Sequence, residues 1–210
     1  MESIIVRGGR PLSGEVRVEG AKNSALKLMA ASLLVPGVSR ISNVPQIADV
    51  DVMSEVLAQL GARVVRTDHA LEIDATNVDS FEAPYELVAQ MRASISVLGP
   101  LVARFGQARV AQPGGCNIGS RKIDMHIRGL SELGVEIHTG HGYIDAHAPQ
   151  TGMHAAHVVL DFPSVGATEN LLTTTAVAHG TSTIQNAARE PEIVDLCRSE
   201  EHTSELQSQR

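Results

Sequence analysis

The chain has 210 residues, 43% hydrophobic and 20% charged, with a formal net charge of −7, a composition that suits one globular domain or one domain with part of another. Aromatic residues are only 2% and tryptophan is absent, so the core must be aliphatic, and few stacking side chains under a negative balance argue against a single-stranded nucleic-acid platform. The opening Met1-Glu2-Ser3-Ile4 lacks signal-peptide features, no apolar run reaches the length of a membrane span, and two cysteines make no disulfide framework; a cytoplasmic location with no membrane partner is expected.

In chain order, the first helix-like stretch is "KNSALKLMAASLLVPG". Leu26, Met29, Ala30 and Leu33 share one face, and Gly37 is the stop before the alternating "VSRISNV". Asp51 then opens a second helix, "DVMSEVLAQLGARVV", which Leu60-Gly61 closes before a strand, and "ALEIDA" supplies the return strand. The order recurs. "RASISVLGPLVARFG" stops at Gly106 and leads into "QARVAQP"; Asp124 opens "DMHIRGLSELGVEIH", closed by Leu133-Gly134, and "GYIDAHA" returns. "GATENLLTTTAVAHG" stops at Gly180 before "TSTIQNA", and "PEIVDLC" begins at Pro191.

The spacing is regular: 124 − 51 and 133 − 60 both give 73, and 191 − 45, from Pro45 to Pro191, gives 146, twice that. Three α/β units around a pseudo-threefold axis are therefore predicted. After Cys197 the repeat predicts more helix, a Leu-Gly stop and a strand, but the chain reads "RSEEHTSELQSQR". Arg198 to Ser208 looks like the translation of a sequencing-library adapter, so residues 198–210 are expected to be non-native and the reading frame truncated.

Counting back from the glycine stops puts Lys22, Arg92 and the Ser164–Ala167 turn at equivalent helix starts. Free N–H groups and the helix dipole favour an anion there, and Lys22 and Arg92 add full charges. "QPGGCNIGSRKIDMH" places Cys116 in a glycine-rich loop just before Arg121 and Lys122. Neighbouring cations lower a thiol pKa, which suits a nucleophile or general acid. Cys197 receives no role. The histidines, His138, His141, His147, His154 and His157, lack the paired spacing of a metal site, and no Gly-Lys-Ser/Thr follows "GGCNIG" to make a P-loop.

"GAKNSALKLMAASLL", "MRAS", "GGCNIGSRKIDMHIRGLSELG" and "DFPSVGATENLL…AAREPEIVDL" together resemble the UDP-N-acetylglucosamine enolpyruvyl transferase (1-carboxyvinyltransferase) family of peptidoglycan synthesis. The resemblance runs from about residue 3 to Cys197, and family members are roughly twice as long. It implies an inside-out α/β barrel of three repeated units, here incomplete, in a two-domain enzyme. Residues 1–21 would belong to the second domain, and residues 22–197 would form the catalytic-loop domain with its third repeat cut short.

The implied reaction moves the enolpyruvyl group of phosphoenolpyruvate to the sugar 3′-hydroxyl and releases phosphate, with no metal and no cofactor. By motif, Cys116 would be the acid and the site of a covalent adduct, and Lys22 and Asn23 would contact phosphoenolpyruvate. Arg92, Arg121, Lys122, Ile123, Asp124, Met125, Ser164 and Val165 would contact UDP-N-acetylglucosamine, and Arg121 is near enough in sequence to serve the phosphate of phosphoenolpyruvate too. The chain departs from the pattern at Lys122, where many members have proline. The family's catalytic aspartate and further arginines lie in a C-terminal half that this chain lacks, so no turnover is expected from it alone. Two other readings stand beside this one: a non-catalytic UDP-sugar-binding fragment, and the shikimate-pathway enolpyruvyl transferase, from which the Gly-Gly-Cys loop and "DFPSVGATEN" point away.

Overall fold

The computed structural model describes residues 3–9, 11–112 and 123–208. Residues 3–20 contribute no helix or strand among those described, and Ile4, Ile5, Val6, Leu12, Val16 and Val18 are exposed. The first unit follows: α1 (Lys22–Ala31), a 3-10 turn (Ser32–Leu34), β1 (Val38–Ser42), α2 (Ala48–Gln59), β2 (Arg63–Thr67) and β3 (Ala70–Asp74). The second contains β4 (Glu82–Ala83), α3 (Tyr85–Val88), a 3-10 segment (Arg92–Val97), α4 (Leu98–Phe105), β5 (Gln107–Ala111), α5 (Asp124–Glu132), β6 (Glu136–Gly140) and β7 (Tyr143–His147). The third has β8 (His157–Val159), α6 (Val165–Thr175), β9 (Thr183–Gln185) and α7 (Pro191–Ser208).

The predicted repeat is present in the backbone. The hairpin β6–β7 starts and ends 73 residues after β2–β3, since 136 − 63 and 147 − 74 both equal 73. Each hairpin follows a helix closed by Leu-Gly, with Gly61 at φ 102° and Gly134 at φ 91°. That left-handed backbone is what lets the chain reverse into a strand, and a side chain there would be strained. The sheets are ordered β1-β3-β2 and β4-β5-β7-β6, antiparallel except for β4 beside β5; β8 and β9 pair in parallel. Among the described residues, therefore, no strand covers the outer edge of β1, whereas β5 is covered by β4.

Helices fill the centre and sheets lie outside, the inside-out arrangement. α6 packs against α4, α5 and α7, and α1 packs against α2, α7 and the 3-10 segment before α4. β3 and β7 alternate buried and less buried residues, placing Leu71, Ile73, Ile144 and Ala146 in the shared aliphatic core. Close approach to α6 depends on glycine. A Cβ at Gly99 of α4 would lie 2.6 Å from the Asn170 carbonyl oxygen, so no larger residue fits without separating the helices.

Three local expectations are corrected. α2 begins at Ala48 rather than Asp51, with Ile47 extended at its N-cap; Asp49 and Asp51 both sit in the first turn, where the helix dipole favours acids. The Arg92–Phe105 run is divided at Val97–Leu98. Pro100 has no N–H to donate, and an α-helix beginning at Leu98 leaves it in the first turn, where that donor is not required. α6 stops at Thr175, five residues before Gly180. The hydroxyls of Thr173, Thr174 and Thr175 bond back to carbonyls three or four residues earlier, competing with helix propagation. As the repeat predicts, helix continues past Cys197: α7 runs unbroken through Arg198 to Ser208, without the Leu-Gly stop that ends α2 and α5.

Candidate active site

α1 starts at Lys22 after an extended Ala21 with no side-chain cap. The 3-10 segment starts at Arg92 after an extended Met91. α6 starts at Val165, capped by Ser164, whose Oγ accepts a hydrogen bond from the Ala167 N–H at 3.4 Å. These are the three equivalent starts anticipated from the repeat.

A polar contact joins the three elements further along their length. Lys27 Nζ donates to Ser96 Oγ at 2.9 Å and lies 2.7 Å from Glu169 Oε2. The three residues lie 5, 4 and 5 positions after Lys22, Arg92 and Ser164 (27 − 22, 96 − 92, 169 − 164). At about 1.5 Å per residue in an α-helix and about 2.0 Å in a 3-10 helix, all three spacings come to roughly 8 Å. The contact thus joins the three elements at a similar distance along each from Lys22, Arg92 and the Ser164 cap.

Both charges are withdrawn from water, with the Lys27 side chain 11% exposed and that of Glu169 2% exposed. Burial pushes the Glu169 carboxyl above its usual range; Lys27 offsets part of this, while Glu190 and Glu192 add to it. The contact is an ion pair rather than an aligned hydrogen bond, and neither Glu169 oxygen has a well-directed donor among the described residues.

A second layer lies one residue further along α6. The Gly99 N–H donates to Asn170 Oδ1 at 2.8 Å, which fixes the orientation of that amide. Asn170 Nδ2 then donates to the Ile95 carbonyl at 3.3 Å and to His126 Nδ1 at 2.9 Å, so the ring nitrogen accepts. His126 is buried near the start of α5 and also lies against Gly166, where a Cβ would be 3.3 Å from its Cε1. The Ile123–Met125 stretch is thereby tied to the first turn of α6.

Of the residues singled out in the sequence, Lys22, Asn23, Ser164, Val165, Ile123 and Asp124 stand on the first turns or caps of α1, α6 and α5, and Arg92 begins the 3-10 segment between them. Lys22 Nζ pairs with Asp49 Oδ2 of α2 at 2.7 Å, with both side chains substantially exposed. Asn23 Nδ2 donates to Glu192 Oε1 at 3.3 Å, and Ser24 Oγ donates to Asp195 Oδ2 at 2.8 Å. An incoming anion would therefore compete with acids from α2 and α7 for these donors. Met125 turns its side chain into the core, 3% exposed, so any ligand contact from it falls to its main chain. Cys116, Arg121 and Lys122 lie outside the described residues.

Sequence reading missed Lys27, Ser96, Glu169, Asn170 and His126. A signal was there: Lys27 interrupts the apolar face of α1, and Glu169-Asn170 stand directly before Leu171-Leu172 in α6. A charge amid residues bound for the core needs a partner.

Repeated α/β units with helices inside and sheets outside, the first two of them with the full hairpin, are a fold shared with the enolpyruvyl transferases. The sequence profile of the EPSP synthase (3-phosphoshikimate 1-carboxyvinyltransferase) family matches residues 6–200, and the chain belongs to that family. Among curated relatives, the UDP-N-acetylglucosamine 1-carboxyvinyltransferase of Geotalea uraniireducens is 49% identical over 196 residues, covering 93% of this chain and 46% of the relative. The enzyme of the same name from Trichlorobacter lovleyi is 48% identical with the same coverage. The chain thus spans about half the length of the curated relatives it matches. The crystal structure of the enolpyruvyl transferase NikO from Streptomyces tendae superposes with a TM-score of 0.79 at 28% identity, over 92% of this chain and 45% of that one. An EPSP synthase from Acinetobacter baumannii shares the fold at a TM-score of 0.66 and 13% identity, over 86% and 42%.

Proposed function

We propose that the chain supplies one half of a UDP-N-acetylglucosamine enolpyruvyl transferase acting in the cytoplasm in peptidoglycan synthesis. The observation that carries this reading is the 49% identity to the Geotalea enzyme across nearly the whole chain. Residues 22–197 are read as the catalytic-loop domain. Residues 1–21, whose apolar side chains lie exposed between Ile4 and Val18, are read as packing on the other half of the enzyme.

The chemistry is addition followed by elimination. A proton goes to the methylene carbon of phosphoenolpyruvate, the sugar 3′-hydroxyl bonds to the adjacent carbon as its own proton leaves, and a tetrahedral adduct forms. Loss of phosphate and of a methyl proton then restores the vinyl group. Cys116 is proposed as the acid, made acidic by Arg121 and Lys122 nearby in sequence. Lys22 and Asn23 would hold phosphoenolpyruvate. Arg92, Arg121, Lys122, Ile123–Met125, Ser164 and Val165 would hold the sugar nucleotide. Helix starts suit the purpose because their N–H groups and dipoles stabilise anions without rearrangement.

The test has two parts. Titration calorimetry on the 210-residue chain should show UDP-N-acetylglucosamine binding without turnover. The same chain completed with the C-terminal half of the Geotalea enzyme should release phosphate from phosphoenolpyruvate only when UDP-N-acetylglucosamine is present, and Cys116→Ala should abolish release. Phosphate release dependent on shikimate 3-phosphate would replace this reading with the sister activity.

A further inference from the structure

We propose that Lys27 and Glu169 are a positioning pair. Buried where the three units meet, they hold the starts at Lys22 and Arg92 and the Ser164 cap in a fixed relation, so that groups on all three can meet one ligand. Lys27 belongs to the first unit, Ser96 to the second and Glu169 to the third, and one ammonium group touches the other two side chains at 2.9 and 2.7 Å.

Stability alone does not account for this choice. Two well-packed apolar side chains in the same space would avoid the desolvation of both ions, and such replacements are often neutral or stabilising. What an apolar pair lacks is register: a methyl group slides along a neighbouring helix at little cost, whereas an ammonium held between a hydroxyl and a carboxylate does not. The Asn170 layer one residue further on locks α4, α5 and α6, its hydrogen bonds running to Gly99, Ile95 and His126 and thus to no residue of α1. The Lys27 layer is the buried side-chain contact that ties α1 to the 3-10 segment and to α6.

The inference draws on the proposed function only for the ligand's name. Its first test therefore uses none. Amide exchange is measured by NMR in the full 210-residue chain, in Lys27→Met, in Glu169→Gln and in the exchanged pair Lys27→Glu/Glu169→Lys. The reporters are the hydrogen-bonded amides of Ala25, Ser94 and Thr168, one in each first turn. The controls are Val135 and Ala148, bonded to Leu130 and Gly106 at the sheet side. In each single variant the three reporters should exchange roughly tenfold faster while the controls hold their rates, as local opening would require. The exchanged pair should restore protection. Uniform acceleration across reporters and controls, or none, would overturn the proposal; the first result would mean a general loss of stability. Should Lys27→Met fail to fold, Glu169→Gln, which leaves no buried carboxylate, gives the decisive comparison.

The second measurement is affinity for UDP-N-acetylglucosamine as a function of pH. Lys27 from α1 faces the carboxylate directly, with Glu190 and Glu192 acting from the approach to α7 and its first turn. Protonating Glu169 removes its charge from the pair, so affinity should fall on the acid side in the parent chain, and this limb should be absent in Glu169→Gln. At neutral pH both single variants should bind roughly ten- to a hundredfold more weakly, the scale of loss when a ligand-holding group is misplaced by about an ångström. If the parent chain does not bind the sugar nucleotide, the proposed function fails, and the exchange data still decide the positional role.

Discussion

Replacing Gly99 by alanine sets two known effects against each other. Alanine is the better helix former by about 1 kcal/mol, which favours the substitution. Against it, the new Cβ would stand 2.6 Å from the Asn170 carbonyl oxygen, 2.6 Å from Thr173 Oγ1 and 2.8 Å from Thr174 Oγ1. Ordinary contact begins near 3.4 Å, so α4 must retreat from α6 by about 0.8 Å (3.4 − 2.6). The carbonyl belongs to the helix backbone and cannot rotate away, and the retreat stretches the 2.8 Å bond from the Gly99 N–H to Asn170 Oδ1. Overpacking of this kind costs about 1–3 kcal/mol, and weakening a buried hydrogen bond adds about 0.5–1.5 kcal/mol. The clash wins, with a net loss of about 1–3 kcal/mol. At a typical urea slope of about 1–3 kcal/mol per molar, the midpoint should fall by roughly 1 M with an unchanged slope. Gly129→Ala is the control. Its Cβ would meet Leu171 Cδ2 and Cδ1 at 2.7 and 2.8 Å, the free ends of a side chain that can turn aside, so its midpoint should move by less than half as much. A Gly99→Ala midpoint at or above that of the parent chain would refute the reasoning, because α4 and α6 would then be free to separate.

Glu169 should leave a mark on stability as well as on binding. Its folded-state pKa is raised, chiefly by burial, so the folded state binds the proton more tightly than the unfolded state does. The resulting stabilisation is complete below the ordinary glutamate value of about 4.3 and is lost as pH rises through the raised folded value. Urea midpoints across that interval should decline in the parent chain and flatten in Glu169→Gln. Lys22→Met should change stability by less than about 1 kcal/mol, since its pair with Asp49 is largely exposed; calorimetry on the completed enzyme should show phosphoenolpyruvate binding lost. Arg104→Met should behave in the opposite way. The guanidinium donates to the carbonyls of Leu33 at 3.0 Å and Ala75 at 2.9 Å, and leaving these without a donor should cost about 1–3 kcal/mol in thermal or urea unfolding with little change in ligand affinity.

The outline of the fold was legible in the sequence because the repeat is written in residues that act locally. Gly61 and Gly134 take up a backbone that few other residues adopt, and they stand 73 residues apart (134 − 61) with equivalent hairpins behind them. β4 and β8 were not legible. Two- and three-residue strands have no period to detect, and their pairing partners lie across a helix. The start of α2 was misplaced because Asp51 looks like a cap, while the true boundary at Ile47 has no capping side chain.

The outer shell of the candidate site, Lys22, Asn23, Arg92, Ser164 and Val165, followed from repeat position and motif. The inner layer did not. Lys27 and Glu169 stand out as charges beside apolar neighbours, but with Ser96 they are far apart in sequence, and only the packing of three units reveals that one ammonium serves the other two.

The outer edge of β1 bears on how the chain behaves in concentrated solution. An edge strand with free N–H and C=O groups invites a second molecule to extend the sheet. In β1 the middle residue is Arg40, exposed and paired with Glu72 at 2.9 Å, and without it the strand Val38–Ser42 would hold no charge at all. Like charges brought face to face, together with an ion pair that must be broken, make edge-to-edge docking unfavourable. Arg40 is therefore expected to oppose self-association at an edge that no strand covers among the described residues. Arg40→Val should make light scattering climb more steeply with protein concentration than it does for the parent chain, while leaving the fold intact by circular dichroism.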